Sequence, residues 1–145
     1  SIIHSCVEYV DGSILCQMGT PDMRTPISYT LAYPQRLKTN VKRLNLGEIG
    51  KLTFFNPCLK KFPCLELAYE SLKIQKSAPA VLNAANEIAV EEFLNNKIKF
   101  TSISKIVEKT LNKTSFSELN SIKDVIEVDS ESRLRAQSLI KTGAY

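Results

Sequence analysis

The apolar residues of this chain change period once. Before residue 20 they alternate in a two-residue rhythm around Asp11-Gly12; after Pro63 they recur at three- and four-residue steps. Alternation sends successive side chains to opposite faces of a strand, whereas the longer step draws one stripe along a helix. A chain that switches in this way cannot be a single layer of either kind. It reads as α+β: an N-terminal antiparallel β-hairpin with a short helix over residues 1–34, an irregular connector over 35–63, and an antiparallel helical bundle over 64–145.

Val10-Asp11-Gly12-Ser13 predicts a two-residue turn with Asp-Gly at its centre. Val10 then faces Ser13, Tyr9 faces Ile14, Val7 faces Cys16, Cys6 faces Gln17 and His4 faces Gly19. This register gathers Ile3, Val7, Tyr9, Ile14, Cys16 and Met18 on an expected core face. It leaves His4, Cys6, Glu8, Ser13, Leu15 and Gln17 on a half-polar one. Cys6 and Cys16 fall on opposite faces and are not expected to bridge.

Gly19-Thr20-Pro21-Asp22-Met23-Arg24-Thr25-Pro26 has the composition of a loop. Thr25 is positioned to cap a short helix with Pro26 in its first turn, ending near Pro34. The connector holds Gly47, Gly50, Pro57 and Pro63, with one strand candidate at Leu52-Thr53-Phe54-Phe55. In the helical half the predicted stripes are Leu65, Ala68, Tyr69 and Leu72; then Leu82, Ala85, Ile88, Ala89 and Phe93 after Pro79. Ile103, Ile106, Val107 and Leu111 follow a Thr101 cap, and Leu134, Ala136, Leu139 and Ile140 follow an Asp129 cap. Ser115 and Glu118 have the spacing of a capping box.

Composition narrows the functional classes. The 145 residues are 43% hydrophobic and 23% charged, ordinary for a globular protein. No apolar run approaches the ~18 residues that span a bilayer, so no membrane partner is expected, and the first residues of the chain do not read as a signal peptide. An apolar strand that begins at residue one suggests a piece of a longer protein. The net charge of +4 lies in the first half, partly in Arg36, Lys38, Lys42 and Arg43, which could meet phosphates or serve as a solvated connector. Cys6, Cys16, Cys58 and Cys64 form no C-x-x-C pair, and His4 is the one histidine, so metal ligation is not expected. Reduced thiols in a cytosolic protein fit better.

Two local constellations carry candidate chemistry. The hairpin register brings His4, Asp22, Met23 and Arg24 to one end. That cluster is either a pocket wall or a hydrogen-bonded histidine beside an Arg–Asp pair that braces a tight loop. Asn83, Asn86 and Glu87 share one helical stripe, able to hold a ligand and more often used to pin a helix to its neighbour. There is no Gly-rich phosphate loop and no nucleophile elbow.

Ser1-Ile2-Ile3-His4-Ser5, Asp11-Gly12-Ser13 and Pro21-Asp22-Met23-Arg24-Thr25-Pro26-Ile27 resemble 1-deoxy-D-xylulose 5-phosphate reductoisomerase. So do Leu52-Thr53-Phe54, Phe62-Pro63-Cys64-Leu65 and Leu82-Asn83-Ala84-Ala85-Asn86-Glu87, in matching order to about Ala136. Tyr33-Pro34 stands where many members have Trp-Pro, and Cys58 where an aspartate is common.

The resemblance implies an NADPH-dependent enzyme that rearranges and reduces 1-deoxy-D-xylulose 5-phosphate to 2-C-methyl-D-erythritol 4-phosphate, with Mg2+ or Mn2+, in non-mevalonate isoprenoid synthesis. This chain resembles its last part: the end of the catalytic domain and the C-terminal helical domain. No catalytic residue, metal ligand or phosphate-binding residue maps onto it. His4, Pro21 and Met23 map to the border of the pocket, and Met23 to the methionine that lies against the nicotinamide. The resemblance further implies a cytoplasmic homodimer whose substrate is a small phosphorylated sugar. The chain alone is expected to be inactive and to hold neither cofactor, with no nucleic-acid partner. The alternative is an independent module that binds RNA or another polyanion through residues 36–43.

Overall fold

A computed structural model describes residues 2–145. The chain divides into two compact units, Ser1–Phe54 and Phe55–Tyr145. Among the described residues there is one two-stranded antiparallel sheet and six helices, an α+β composition. No helix among them is long and apolar enough to cross a membrane.

In the first unit, β1 (Ile3–Glu8) pairs with β2 (Ile14–Met18). Their connection has three residues, not two. The Tyr9 amide donates to the Ser13 carbonyl and the Gly12 amide to the Tyr9 carbonyl, each at 2.9 Å. Gly12 takes the left-handed conformation at φ 83°, the pattern of a turn followed by a glycine bulge. Asp11 fixes the loop by accepting from the Ser13 amide at 2.9 Å and the Ser13 hydroxyl at 2.7 Å.

The extra loop residue moves the register by one. Glu8 faces Ile14, Val7 faces Leu15, and Cys6 faces Cys16. A slip of one residue exchanges the faces of a strand, so the expected assignment is corrected: Cys6 and Cys16 share a face. The expected core face is also absent. Val7, Ile14 and Leu15 are all more than half exposed, and of the two strands only Ile3 is partly covered. A bulge between Ile3 and Ser5 adds His4 to β1.

Helix α1 (Arg24–Ala32) begins one residue before the expected Thr25 cap. Asp22 accounts for this: its carboxylate accepts from the Arg24 amide at 2.9 Å and its carbonyl from the Thr25 amide at 3.1 Å. The helix ends before the cis Tyr33-Pro34 bond. The strand candidate at Leu52 to Phe55 is not a strand. The connector instead holds a single helical turn, α2 (Leu46–Ile49), capped by the Asn45 side chain and closed at Gly50 with φ 66°.

The second unit holds α3 (Pro63–Ile74), α4 (Ala78–Leu94), α5 (Ser102–Asn112) and α6 (Ile122–Thr142). Helix α4 is the centre and packs against the other three. Ala78, Val81, Ala84, Ala85, Ile88 and Ala89 are all buried, and a helix apolar on most of its circumference needs neighbours on several sides. Helix α5 contributes Ile103, Ile106, Val107 and Leu111 on the predicted stripe, and α6 contributes Ala136 and Leu139.

Five local expectations change. The face of α3 turned to the core is Leu67 and Ser71, while Tyr69 and Leu72 point to solvent. Ser121 and Asp124, not Ser115 and Glu118, form the reciprocal capping box, and Asp129 lies inside α6 instead of capping it. The 115–118 segment is held differently: the Ser117 amide donates to the Ser77 hydroxyl at 3.1 Å, and Glu118 lies 3.8 Å from Lys76. Thr101 precedes α5 without a side-chain cap bond, and Leu134 is exposed.

Candidate functional site

The first candidate surface is the open end of the hairpin. The Gly19 amide donates to the Ile2 carbonyl at 3.0 Å, closing the strands before the chain turns toward α1. The Thr20 hydroxyl donates to the Lys42 carbonyl at 2.8 Å, tying this loop to the later part of the same unit. Beside Gly19 and Thr20 lies a hollow of about 310 Å³, walled in part by Lys38, Lys42 and Arg43. The sequence showed that these cations cluster but not that they border this loop, because the tie runs through a main-chain carbonyl. Arg36 is held separately, its guanidinium 4.3 Å from the centre of the Tyr29 ring.

Within the loop, Asp22 and Arg24 form a forked pair. Arg24 Nη2 donates to Asp22 Oδ2 at 2.6 Å and Nε to Oδ1 at 3.0 Å. These bonds and the Arg24 amide hold the Asp22 carboxyl at about 2, because hydrogen bonds to a charged carboxylate favour that form. Both side chains are thus engaged with each other. Between them, Met23 has a helical backbone conformation and is 69% exposed. Pro21 is exposed as well.

His4 belongs to the same neighbourhood. Its Nδ1 is 3.0 Å from Gln17 Oε1, and a Cβ on Gly19 would stand 3.9 Å from its Cε1. The bulge restores the predicted nearness to Gly19 although the turn differs. No hydrogen bond among the described residues joins His4 to Asp22 or Arg24. The expected cluster is therefore two adjoining bonded pairs, His4–Gln17 and Asp22–Arg24, with Met23 and Pro21 presented outward.

The second candidate, in the other unit, resolves into a brace. Asn83 Nδ2 donates to Glu87 Oε1 at 3.1 Å, and Arg133 Nη2 donates to Glu87 Oε2 at 2.5 Å. Arg133 Nε also donates to Asp129 Oδ2 at 2.7 Å. Arg133, then Asn83, lowers the Glu87 carboxyl from its ordinary value, while Asp129 and Glu87 raise the Arg133 guanidinium. The stripe joins α4 to α6. Asn86 lines an open hollow together with Glu87, Val90 and Leu94.

Among the described residues no group of three or more His, Cys, Asp or Glu is placed to hold a metal ion.

Comparison with known proteins identifies the family. Residues 18–135 match the family model described as the DXP reductoisomerase C-terminal domain. The chain is 52% identical over 140 residues to 1-deoxy-D-xylulose 5-phosphate reductoisomerase of Endomicrobium trichonymphae, covering 97% of this chain and 36% of the relative. It is 49% identical over 142 residues to that of Trichlorobacter lovleyi, covering 98% and 36%. Among solved structures, the enzyme of Zymomonas mobilis in complex with NADPH superposes with a TM-score of 0.85 at 50% identity, over 96% of this chain and 37% of that one. A DOX-P reductoisomerase in complex with NADPH, fosmidomycin and magnesium gives 0.82 at 43% identity, over 97% and 37%. The chain thus spans little more than a third of the length of the relatives it matches. With a family match over residues 18–135 and about half of all positions identical, this chain belongs to the DXP reductoisomerase C-terminal domain family.

Proposed function

We propose that this chain is the C-terminal portion of an NADPH- and divalent-metal-dependent reductoisomerase. The whole enzyme converts 1-deoxy-D-xylulose 5-phosphate to 2-C-methyl-D-erythritol 4-phosphate in non-mevalonate isoprenoid synthesis. The observation that carries this reading is the continuous match: 97% of the chain aligns with one third of an enzyme of that name at 52% identity. Relatives in complex with NADPH and with magnesium support the choice of cofactors. The polyanion-binding alternative has no support among these relatives.

Within that enzyme, residues 1–34 form the end of the catalytic domain, 35–63 the connector and 64–145 the helical domain. His4, Pro21 and Met23 border the active-site pocket, and Met23 lies against the nicotinamide. Their exposure at one end of the hairpin supports this, since a bordering side chain must be free to meet what the remaining two thirds supply. The metal and the cofactor phosphates are held by that remainder. When bound, NADPH provides the hydride and the metal polarises the substrate carbonyl. The enzyme acts in the cytoplasm as a homodimer that associates through residues 1–55, where the exposed strand edges favour pairing.

The test is reassembly. The C-terminal part of the Endomicrobium trichonymphae enzyme that aligns with this chain is replaced by residues 1–145. The chimera should oxidise NADPH only when both 1-deoxy-D-xylulose 5-phosphate and Mg2+ are present. A soluble, folded chimera without that activity, beside an active parent, contradicts the proposal.

A further inference from the structure

The hairpin register places two thiols together. Cys6 and Cys16 face each other across β1 and β2, with their Sγ atoms 2.8 Å apart. Ladder sites alternate between hydrogen-bonded and non-hydrogen-bonded pairs. Counting from the bonded Tyr9–Ser13 pair, Cys6–Cys16 is a non-hydrogen-bonded site. There the facing Cα atoms are about 4.5 Å apart and the side chains closest. Disulfides accept Cα separations of roughly 4.4–6.8 Å, so a bond needs no change of backbone. Both residues are exposed, and a dissolved oxidant can reach them.

We propose that Cys6 and Cys16 are a reversible thiol–disulfide pair, oxidised by a hydroperoxide or by a low-molecular-weight disulfide and reduced by a dithiol. With a hydroperoxide, one thiolate attacks the terminal peroxide oxygen. The O–O bond breaks, an alcohol leaves (water, when the oxidant is hydrogen peroxide), and a sulfenic acid forms. The facing sulfur then attacks that sulfenic sulfur, the S–S bond forms and water leaves. In sum, two thiols lose two electrons and two protons, and the peroxide takes both. With a small disulfide, two exchange steps release two small thiols. The bond joins the strands close to the His4 bulge and fixes the register beside the His4–Gln17 pair. The inference rests on the register, the sulfur separation and the exposure of both thiols in this chain, and its test on the chain does not draw on the proposed function.

The experiment uses the full chain carrying Cys58→Ser and Cys64→Ser. It is treated with hydrogen peroxide or oxidised glutathione, quenched with iodoacetamide and digested with trypsin. No Lys or Arg precedes Arg24, so both cysteines remain on one peptide, residues 1–24. That peptide should be two hydrogens lighter than its reduced form and carry no alkyl group. Dithiothreitol should restore alkylation at both positions, and cleavage after Glu8 should yield two pieces joined by the bond. Adding Cys6→Ser should abolish the two-hydrogen loss and leave Cys16 with one glutathione. Full alkylation after oxidant, sulfinic products in place of the bond, or linkage between chains would each overturn the proposal, as would an unchanged loss in the Cys6→Ser variant.

Discussion

Arg133 on α6 and Glu87 on α4, 46 residues apart in sequence, meet at 2.5 Å. The same guanidinium holds Asp129 on its own helix at 2.7 Å. A planar, always-charged fork can serve two carboxylates at once, which an ammonium of similar reach does less well. The contact lies at the edge of the bundle, where Glu87 is about half exposed, so it sets the angle of α6 on α4 more than it supplies stability.

Arg133→Ala should therefore lower the melting temperature of the chain only modestly, by about 2 °C, with less effect as salt rises. Thermal melts at two salt concentrations check this. The pH dependence has a definite sign. The folded carboxyl of Glu87 is lowered from 4.5, first by Arg133. Its contribution is thus complete above that value and is lost as the pH falls through the lower folded one. The advantage of the parent over Glu87→Gln should be constant above pH 4.5 and shrink only below it.

The interior of the bundle answers differently. Ile106 on α5 is fully buried among residues of the core cluster. Ile106→Ala removes buried methyl groups and leaves a cavity, at a cost of about 3 kcal/mol. Leu134 on α6 is 66% exposed, so Leu134→Ala should move the urea midpoint little. Equal shifts for the two variants would contradict the packing described above.

What the sequence made legible follows from which signals were local. The stripe of α5 was readable because its apolar residues face one side and its charges the other. Helix α3 was misread because its spacing suits two faces, and the buried one contains Ser71, a polar residue that periodicity passes over. The hairpin was recognised at Asp11-Gly12, but that dipeptide serves both a two-residue turn and a turn with a glycine bulge. The choice depends on bonds such as Asp11 to Ser13, and one residue of difference reversed the faces of Cys6 and Cys16. At the candidate site the motif located His4, Pro21, Asp22, Met23 and Arg24 together. The forked Asp22–Arg24 pair needed the loop geometry, because the same residues would equally suit a free arginine.

That pair gives a titration prediction. Arg24, through its side chain and then its amide, holds the Asp22 carboxyl at about 2 against an ordinary 3.8. Its contribution to the loop is present above the ordinary value and is lost as the pH falls toward 2. Arg24→Ala should return the Asp22 carboxyl most of the way to 3.8. Carbon-detected NMR of the side chain reads this directly, and an unchanged midpoint would show that the guanidinium is not the cause.

Met23 and His4 are distinguished by what each can do in the reassembled enzyme. Met23 is exposed beside the Asp22–Arg24 fork, which needs no help from its side chain to hold the start of α1. Met23→Ala should thus leave the melting temperature of the chimera unchanged. A thioether against an aromatic ring contributes modestly, so its loss should raise the KM for NADPH about 2- to 10-fold. His4 is bonded to Gln17 at the bulge and exposed at the same end of the hairpin. His4→Ala should lower kcat while the melting temperature changes little. Kinetics that both substitutions leave intact would remove Met23 and His4 from the border of the pocket and leave them as parts of a braced loop.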